Sequence, residues 1–351
     1  MALDEAKLHE LVIKMVGDMG AAAIAPLVVV GDRLGLYRAL ADNGPLSAAA
    51  LADHTDTTER YVREWCAAQA SSGYIGYDAK NDTFDMTPEQ QAVFSNPDSP
   101  TYMIGGFYAI CSMCIDEPKV THVFRSGEGL PWGDHHECLF CGTEKFFRPG
   151  YKSNLVAQWL PALEGVVDKL QKGAKVADVG CGHGASTLVM AEAFPRSTFI
   201  GFDFHEASID RANKLAAEAR LSNVRFETAT AKHFPGKDYD LIAFFDCLHD
   251  MGDPVGAAAH TRQALKPDGT MMLVEPFAHD DLADNLNPIG RMFFSFSTMI
   301  CTPASISQEV GLALGAQAGE KRLREVATEA GFGSFRRATE TPFNLILEAK
   351  P

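Results

Sequence analysis

Apolar residues recur at helical spacing through the first third of the chain: Leu8, Leu11, Val12 and Met15, then Ile24 to Leu34 and Leu36 to Leu40. Positions three and four apart share one face of an α-helix, so this stretch predicts packed helices. Ser47, or the Pro45-Leu46 before it, starts a short helix through Leu51-Ala52, and Thr57 or Thr58 caps a longer one through Ala70. Gly73 ends it. Tyr74-Ile-Gly-Tyr77 and Thr83-Phe-Asp-Met86 then read as two short strands around an Asn81-Asp82 turn. Helices followed by a hairpin over residues 1–95 make a winged-helix pattern.

The period changes after about residue 150. Lys175–Val179, Thr198–Phe202, Val224–Thr228, Asp240–Phe245 and Thr270–Glu275 are short apolar runs separated by helical patterns, and Phe335–Arg337 and Asn344–Glu348 pair last. Such alternation predicts an α/β domain over residues 151–351, a Rossmann-like parallel sheet with helices on both faces. Residues 96–150 mix aromatic and polar positions and are expected to be a connector and substrate lid, with Met103–Ile115 helical. A second lid, residues 276–319, interrupts the α/β domain and carries Met292, Phe293, Phe294, Phe296, Met299 and Cys301. Its place after the fifth strand puts it over the carboxyl edge of the sheet, where open α/β sheets bind ligands.

Composition narrows the partners. The 351 residues leave room for two domains, and a formal net charge of -15 argues against a nucleic-acid partner. Residues 1–95 carry seven Lys and Arg against fourteen Asp and Glu, which makes dimerisation a better role for the winged helix than duplex binding. The longest apolar run, Ala21–Val30, is too short to span a membrane and is interrupted by Pro26. The N-terminus lacks a basic region followed by a small-residue cleavage site, so a cytoplasmic location is expected. Eight cysteines in such a setting are expected to be reduced thiols. Cys111 with Cys114 and Cys138 with Cys141 form two C-x-x-C pairs, formally a zinc set. The first pair lies in an apolar helical stretch without the turn residues of a zinc knuckle, so both are read as buried or pocket-lining thiols and no metal is expected.

The chemistry gathers at Val176-Ala-Asp-Val-Gly-Cys-Gly-His-Gly184, a buried strand running into a glycine-rich turn and then a helix that opens with Ser186 and Thr187. Gly180, Gly182 and Gly184 let the backbone approach a ligand, and the first amides of the helix face it. A dinucleotide site prefers G-x-G-x-x-G with the helix start on a pyrophosphate. Here the spacing is shorter and Asp178 stands two residues before the first glycine, a charge that repels pyrophosphate and attracts an ammonium. Asp203 ends the next strand and is placed to accept both hydroxyls of a ribose.

Together these residues resemble the S-adenosylmethionine site of class I methyltransferases. Asp246-Cys-Leu-His-Asp250, ahead of Met251-Gly-Asp-Pro254, further resembles the small-molecule O-methyltransferases with an N-terminal winged-helix dimerisation domain, whose corresponding strand ends in an L-H-D-W type motif. The resemblance implies a homodimer and a small-molecule acceptor. It makes His249 the general base, with Glu275 orienting it and Asp250 beside it. It places Asp246 against the cofactor near the transferred methyl and Ala231 on the adenine side. The acceptor contacts expected are Trp132, His135 and His136 of the first lid and Met292 and Phe296 of the second.

This sequence also departs from the pattern. Met251 replaces the tryptophan of the motif, Gln317 falls where plant-type enzymes have a second glutamate supporting the histidine, and Ala229-Thr-Ala-Lys232 lacks the acid that commonly receives the adenine amino group. Weaker support for the base makes a readily ionised acceptor, a small thiol or sulfide, the alternative to a hydroxyl. A regulator that senses S-adenosylmethionine without catalysis is the alternative of another class.

Overall fold

The computed structural model describes residues 3–351. The chain forms two compact units. One runs up to Cys114 and includes Glu137–Pro149; the other comprises Ile115–His136 and Gly150–Pro351.

The first unit begins with α1 (Glu5–Arg33), started by Asp4, whose side chain accepts from the amides of Ala6 and Lys7. The helix continues through Pro26. The expected interruption is therefore corrected: Ile24, Ala25, Val28 and Val29 are buried, and their packing outweighs the lost backbone bond. By length and composition alone α1 is long and apolar enough to cross a membrane, unlike the short run read from the sequence. Its first half exposes Leu8, Leu11, Val12, Met15, Val16 and Met19.

Helices α2 (Leu36–Asn43), α3 (Ala48–Thr55) and α4 (Glu59–Ser71) follow, then the antiparallel hairpin β1 (Gly76–Asp78) and β2 (Thr83–Asp85) and helix α5 (Pro88–Phe94). Ser47 caps α3 through its side chain, and Leu46 bridges to Phe84 on β2, which ties the wing to the helices. The ring of Tyr37 stacks on Phe94 and meets Trp65 edge-on, while its hydroxyl donates to the buried Gln69. Helix α6 (Ile104–Ser126) extends well past the expected Ile115, and α7 (Cys138–Gly150) returns against its first turns. The two approach closely at glycines: a Cβ on Gly142 would lie 2.8 Å from the amide nitrogen of Ala109.

In the second unit, α8 (Leu160–Ala162) and α9 (Val166–Lys172) lead into the first parallel strand, and a seven-stranded sheet forms the core. Its strands are β3 (Lys175–Val179), β4 (Thr198–Asp203), β5 (Val224–Thr228), β6 (Tyr239–Phe245), β7 (Leu265–Pro276), β8 (Ser334–Glu340) and β9 (Asn344–Lys350). The order is β5-β4-β3-β6-β7-β9-β8, with β3 to β7 parallel and β9 antiparallel to both neighbours. Helices α10 (Ala185–Ala193), α11 (Glu206–Glu218), α12 (Pro254–Ala264) and α15 (Gly319–Glu329) cover it. Every residue of β6 is buried, as a strand covered on both faces requires. The order reverses between β3 and β6, so the connections leaving them diverge and open a crevice beyond their carboxyl ends. Between β7 and α15 lie α13 (Pro288–Phe296), a π-helical stretch Ser297–Cys301, and α14 (Thr302–Ile306).

Candidate functional site

Gly180, Gly182 and Gly184 follow β3 with φ of 75°, 52° and 80°, a left-handed conformation that costs side-chain-bearing residues energy. A Cβ on Gly180 would lie 2.6 Å from Cys247 Sγ, and one on Gly184 2.5 Å from the ring of Phe226. Gly182 is different: a Cβ there would meet nothing within 4 Å, so the turn presents bare backbone to open space. Asp178, fully buried, accepts through Oδ2 from Ser186 Oγ at 2.6 Å and Thr187 Oγ1 at 2.7 Å. Its Oδ1 is buried without a hydrogen-bond partner. Burial pushes this carboxyl up to about 6, against the two hydroxyl donors. Asp203 accepts from the amides of Gly182 and His205, both at 2.9 Å, and burial raises its pKa too. Each carboxylate oxygen has a second lone pair, so it still has acceptor capacity toward hydroxyls.

At the end of β6 the backbone turns sharply: Asp246 takes φ 52°, and a 3-10 turn, Leu248–Asp250, follows. This turn buries His249. Glu275, next to last on β7, binds both ends of it, accepting the amide of Leu248 on Oε1 at 3.0 Å and His249 Nδ1 on Oε2 at 2.5 Å. His249 and Glu275, singled out together from the sequence, are therefore in direct contact. Burial works against a charged imidazole, but Glu275 and then Cys301 outweigh it and hold His249 well above its ordinary 6.5. The other ring nitrogen, Nε2, lies 3.3 Å from Cys301 Sγ. Asp250 adjoins the dyad, with burial pushing its carboxyl to about 7.

Asp246 is held by two donors: Tyr151 Oη gives to Oδ2 at 2.8 Å and Asn344 Nδ2 to Oδ1 at 2.7 Å. Burial, reinforced by the charge of Glu275, still raises it to about 8. Asp178, Asp203, Asp246 and Asp250 thus form a set of carboxyls at the carboxyl edge, each displaced toward the neutral form. Such a site gains from a cationic ligand, because a positive charge restores the ionised form.

The segment 276–319 closes on the histidine turn. Gly315 donates its amide to the His249 carbonyl, Ser305 Oγ donates to the Met251 carbonyl, and Gln308 Nε2 donates to the Asp250 carbonyl. Gln317 gives its amide hydrogens to the carbonyls of Phe277 and Ala316 instead of supporting the imidazole. Met292 and Phe296 are half-buried one turn apart on α13. In the loop between α6 and α7, His135 is buried against Asp116 (Nδ1 to Oδ2, 3.1 Å), which also accepts from Lys119 and the His136 amide. Gly133 of this loop lies against the ring of His205, two residues beyond Asp203, and Trp132 meets His135 edge-on. Ala231, half-buried after β5, precedes Lys232, which pairs with Asp253 and Glu309.

Sequence reasoning missed Tyr151, Asn344 and the role of Cys301. A buried polar residue opening an apolar strand, as Asn344 does on β9, was the one available signal. The four C-x-x-C cysteines are free thiols, and their reading as buried or pocket-lining is corrected for two of them: Cys114 and Cys141 are exposed, while Cys138 is buried and its sulfur receives a hydrogen bond from Arg33 at 3.4 Å. Among the described residues no group of three or more His, Cys, Asp or Glu is arranged to hold a metal ion.

Comparison with known proteins bears on the domains and the fold. Residues 170–331 match the family model described as a methyltransferase domain, and residues 22–96 that of an Rv2258c-like winged HTH domain. The uncharacterized methyltransferase YcgJ of Bacillus subtilis is 30% identical over 122 residues, 34% of this chain and 47% of that protein. The chain spans about half the length of the curated relatives it matches. An O-methyltransferase family protein from Burkholderia thailandensis shares the fold with a TM-score of 0.68 at 16% identity, over 100% of this chain and 98% of that one. Human N-acetylserotonin methyltransferase, solved with its S-adenosylmethionine, gives 0.69 at 16% identity, over 100% of this chain and 99% of that one. The residues present suit that cofactor: the partnerless Asp178 Oδ1 suits an ammonium, the bare backbone at Gly182 a close-packed ligand, and Asp203 a ribose. The chain thus carries a methyltransferase domain over residues 170–331 and a winged-helix domain over residues 22–96, in a fold shared with solved methyltransferases.

Proposed function

We propose that this protein transfers a methyl group from S-adenosylmethionine to a hydroxyl of a small molecule, with His249 as general base. The observation that carries the reading is the buried Glu275–His249 pair at the carboxyl end of β6, bonded at 2.5 Å. With the Nδ1 proton held by Glu275, a neutral ring offers the Nε2 lone pair to an acceptor. The cofactor supplies, when bound, an electrophilic methyl on a sulfonium. Asp178 and Asp203 anchor its two ends, Asp246 adds negative charge on the sulfonium side, and Asp250 adds to the field around the base. The segments 96–150 and 276–319 exclude water and shape the acceptor site, with Trp132, His135, His136, Met292 and Phe296 as its contacts. Catalysis rests on alignment of two atoms and needs no metal.

A small thiol or sulfide is the second reading. One observation favours it: the base nitrogen already has sulfur, that of Cys301, 3.3 Å away. A thiol ionises more readily than an alcohol and asks less of the base.

The winged helix over residues 1–95 pairs two subunits in this reading, and the exposed apolar half of α1 is the surface that supports it. The net charge of -15 disfavours nucleic acid. A cytoplasmic protein with no membrane partner completes the reading, and light scattering tests the dimer.

The deciding experiment incubates the protein and S-adenosylmethionine with phenols, thiols and inorganic sulfide, with mass spectrometry of solution and headspace. A methylated phenol supports hydroxyl transfer, and a methylated thiol or sulfide moves the function to sulfur. Tight cofactor binding with no product from any acceptor favours a sensor.

A further inference from the structure

Two buried thiols at this site differ in one respect. Cys181, in the glycine turn, and Cys301, at the end of the π-helical stretch, are 7% and 8% exposed. The Cys181 sulfur has only a distant contact, the Gly182 carbonyl at 3.8 Å, whereas Cys301 Sγ lies 3.3 Å from His249 Nε2, whose other nitrogen is fixed by Glu275. Nucleophile, base and an acid that orients the base form one chain of contacts. That is the arrangement by which proteins activate thiols. The π-helical stretch, Ser297–Cys301, adds an independent sign, since such local changes of helical register concentrate at functional sites.

We propose that Cys301 is a nucleophilic thiol, activated by His249 and Glu275, and that it takes small uncharged electrophiles, hydrogen peroxide among them. His249 accepts the thiol proton on Nε2, and the thiolate is the reactive form. With peroxide, the sulfur attacks one oxygen: an S–O bond forms, the O–O bond breaks, and the departing hydroxide takes the proton from the imidazolium. The products are a sulfenic acid and water, with peroxide as the oxidant. Burial holds the Cys301 thiol above its ordinary value, and His249 draws it only part of the way back down; at Cys181 burial acts with two carboxylates, Asp178 and Asp203, in the same upward direction. Modification of Cys301 fills the space beside Nε2 and takes the base away from any acceptor, so the thiol is a modification site that switches off methyl transfer.

The triad shares His249 and Glu275 with the methyl-transfer reading, but alkylation requires neither cofactor nor acceptor, so the two can fail separately. The full-length protein is treated with a limiting amount of iodoacetamide, and adducts at each cysteine are followed by peptide mass spectrometry. Cys301 is expected to react at least about tenfold faster than Cys181, and His249→Gln to abolish that advantage while leaving Cys181 unchanged. In the wild type the rate at Cys301 should rise with pH around a midpoint below that of Cys181, a measurement that needs no variant to fold. Peroxide followed by dimedone should mark Cys301 first. Equal rates at the two cysteines, a rate indifferent to His249→Gln, or a midpoint no lower than that of Cys181 would overturn the assignment.

Discussion

Tyr151 gives its phenolic hydrogen to Asp246 at 2.8 Å, joining the π-helical stretch Tyr151–Trp159 to the sharp turn after β6. The bond favours the ionised carboxylate against a burial that pushes it to about 8. Tyr151→Phe removes it and moves Asp246 further toward the neutral form. Affinity for S-adenosylmethionine near neutral pH should fall about three- to tenfold, the value of one hydrogen bond to a charged group or somewhat less. Titration calorimetry checks this, and unchanged affinity would detach Asp246 from the cofactor.

Cofactor stabilisation should depend on pH, with a definite sign. A carboxyl with a raised folded pKa holds its proton more tightly when folded, so Asp246 costs the unliganded protein stability as pH rises from its ordinary 3.8 to about 8. Asp178 and Asp250 act the same way up to about 6 and about 7. The raised His249 has the same slope, its stabilisation being complete below its ordinary value and lost as pH rises through the folded one. A cationic ligand reverses the carboxyl cost. The rise in melting temperature with saturating S-adenosylmethionine is expected to grow between about pH 5 and about pH 8. S-adenosylhomocysteine, without the sulfonium charge, should show less growth, and equal curves would place the positive charge elsewhere.

His249→Gln should lower turnover by about 10²- to 10⁴-fold while leaving cofactor affinity nearly intact, as expected for loss of a general base. Stopped assays with the acceptor found in the panel, paired with calorimetry, separate the two effects. Turnover close to wild type would identify an acceptor that ionises without help.

Glu275→Gln tests the dyad through pH. Glu275 is what lifts His249 above 6.5 against its burial, so the wild-type rate should rise only at pH values above that ordinary figure. The amide variant should shift the rising limb to lower pH and lower the plateau. A limb that does not move would mean that some other group titrates.

Gly180→Ala combines a left-handed backbone with a Cβ placed 2.6 Å from Cys247 Sγ. The conformational cost alone is about 1–2 kcal/mol. Cys247→Ala in the same chain should recover part of the loss by removing the sulfur but not the strain, which urea unfolding of the single and double variants measures.

The sheet was legible because a covered strand must be apolar along its whole length. Val176 to Val179 and Leu241 to Phe245 are apolar apart from Asp178, and that exception is the buried carboxyl bonded by Ser186 and Thr187. The glycine turn and the Asp246–Asp250 motif were legible because backbone conformation and chemistry demand those residue types at close spacing. Pro26 reads in the sequence as an interruption of the apolar run Ala21–Val30, yet burial of Val28 and Val29 carries one helix across it. Cys301, Tyr151 and Asn344 were out of reach for another reason. Cys301 stands 52 residues from His249, and Tyr151 and Asn344 stand 95 and 98 from Asp246; only the folded sheet brings them together. A π-helical register leaves no periodic trace in so short a run as Ser297–Cys301.

The segment from Pro276 to Gly319 leaves the sheet at β7 and rejoins it through α15, and it reaches the histidine turn largely through main-chain carbonyls of His249, Asp250 and Met251. Carbonyls are the same whatever side chains they carry. A descendant of this protein can therefore exchange that whole stretch for another of similar span while Asp178, Asp203 and the glycine turn stay untouched. Under the proposed function, new acceptor preferences are then open to the lineage through recombination of one cassette, with no need to rebuild the residues proposed to hold the methyl donor.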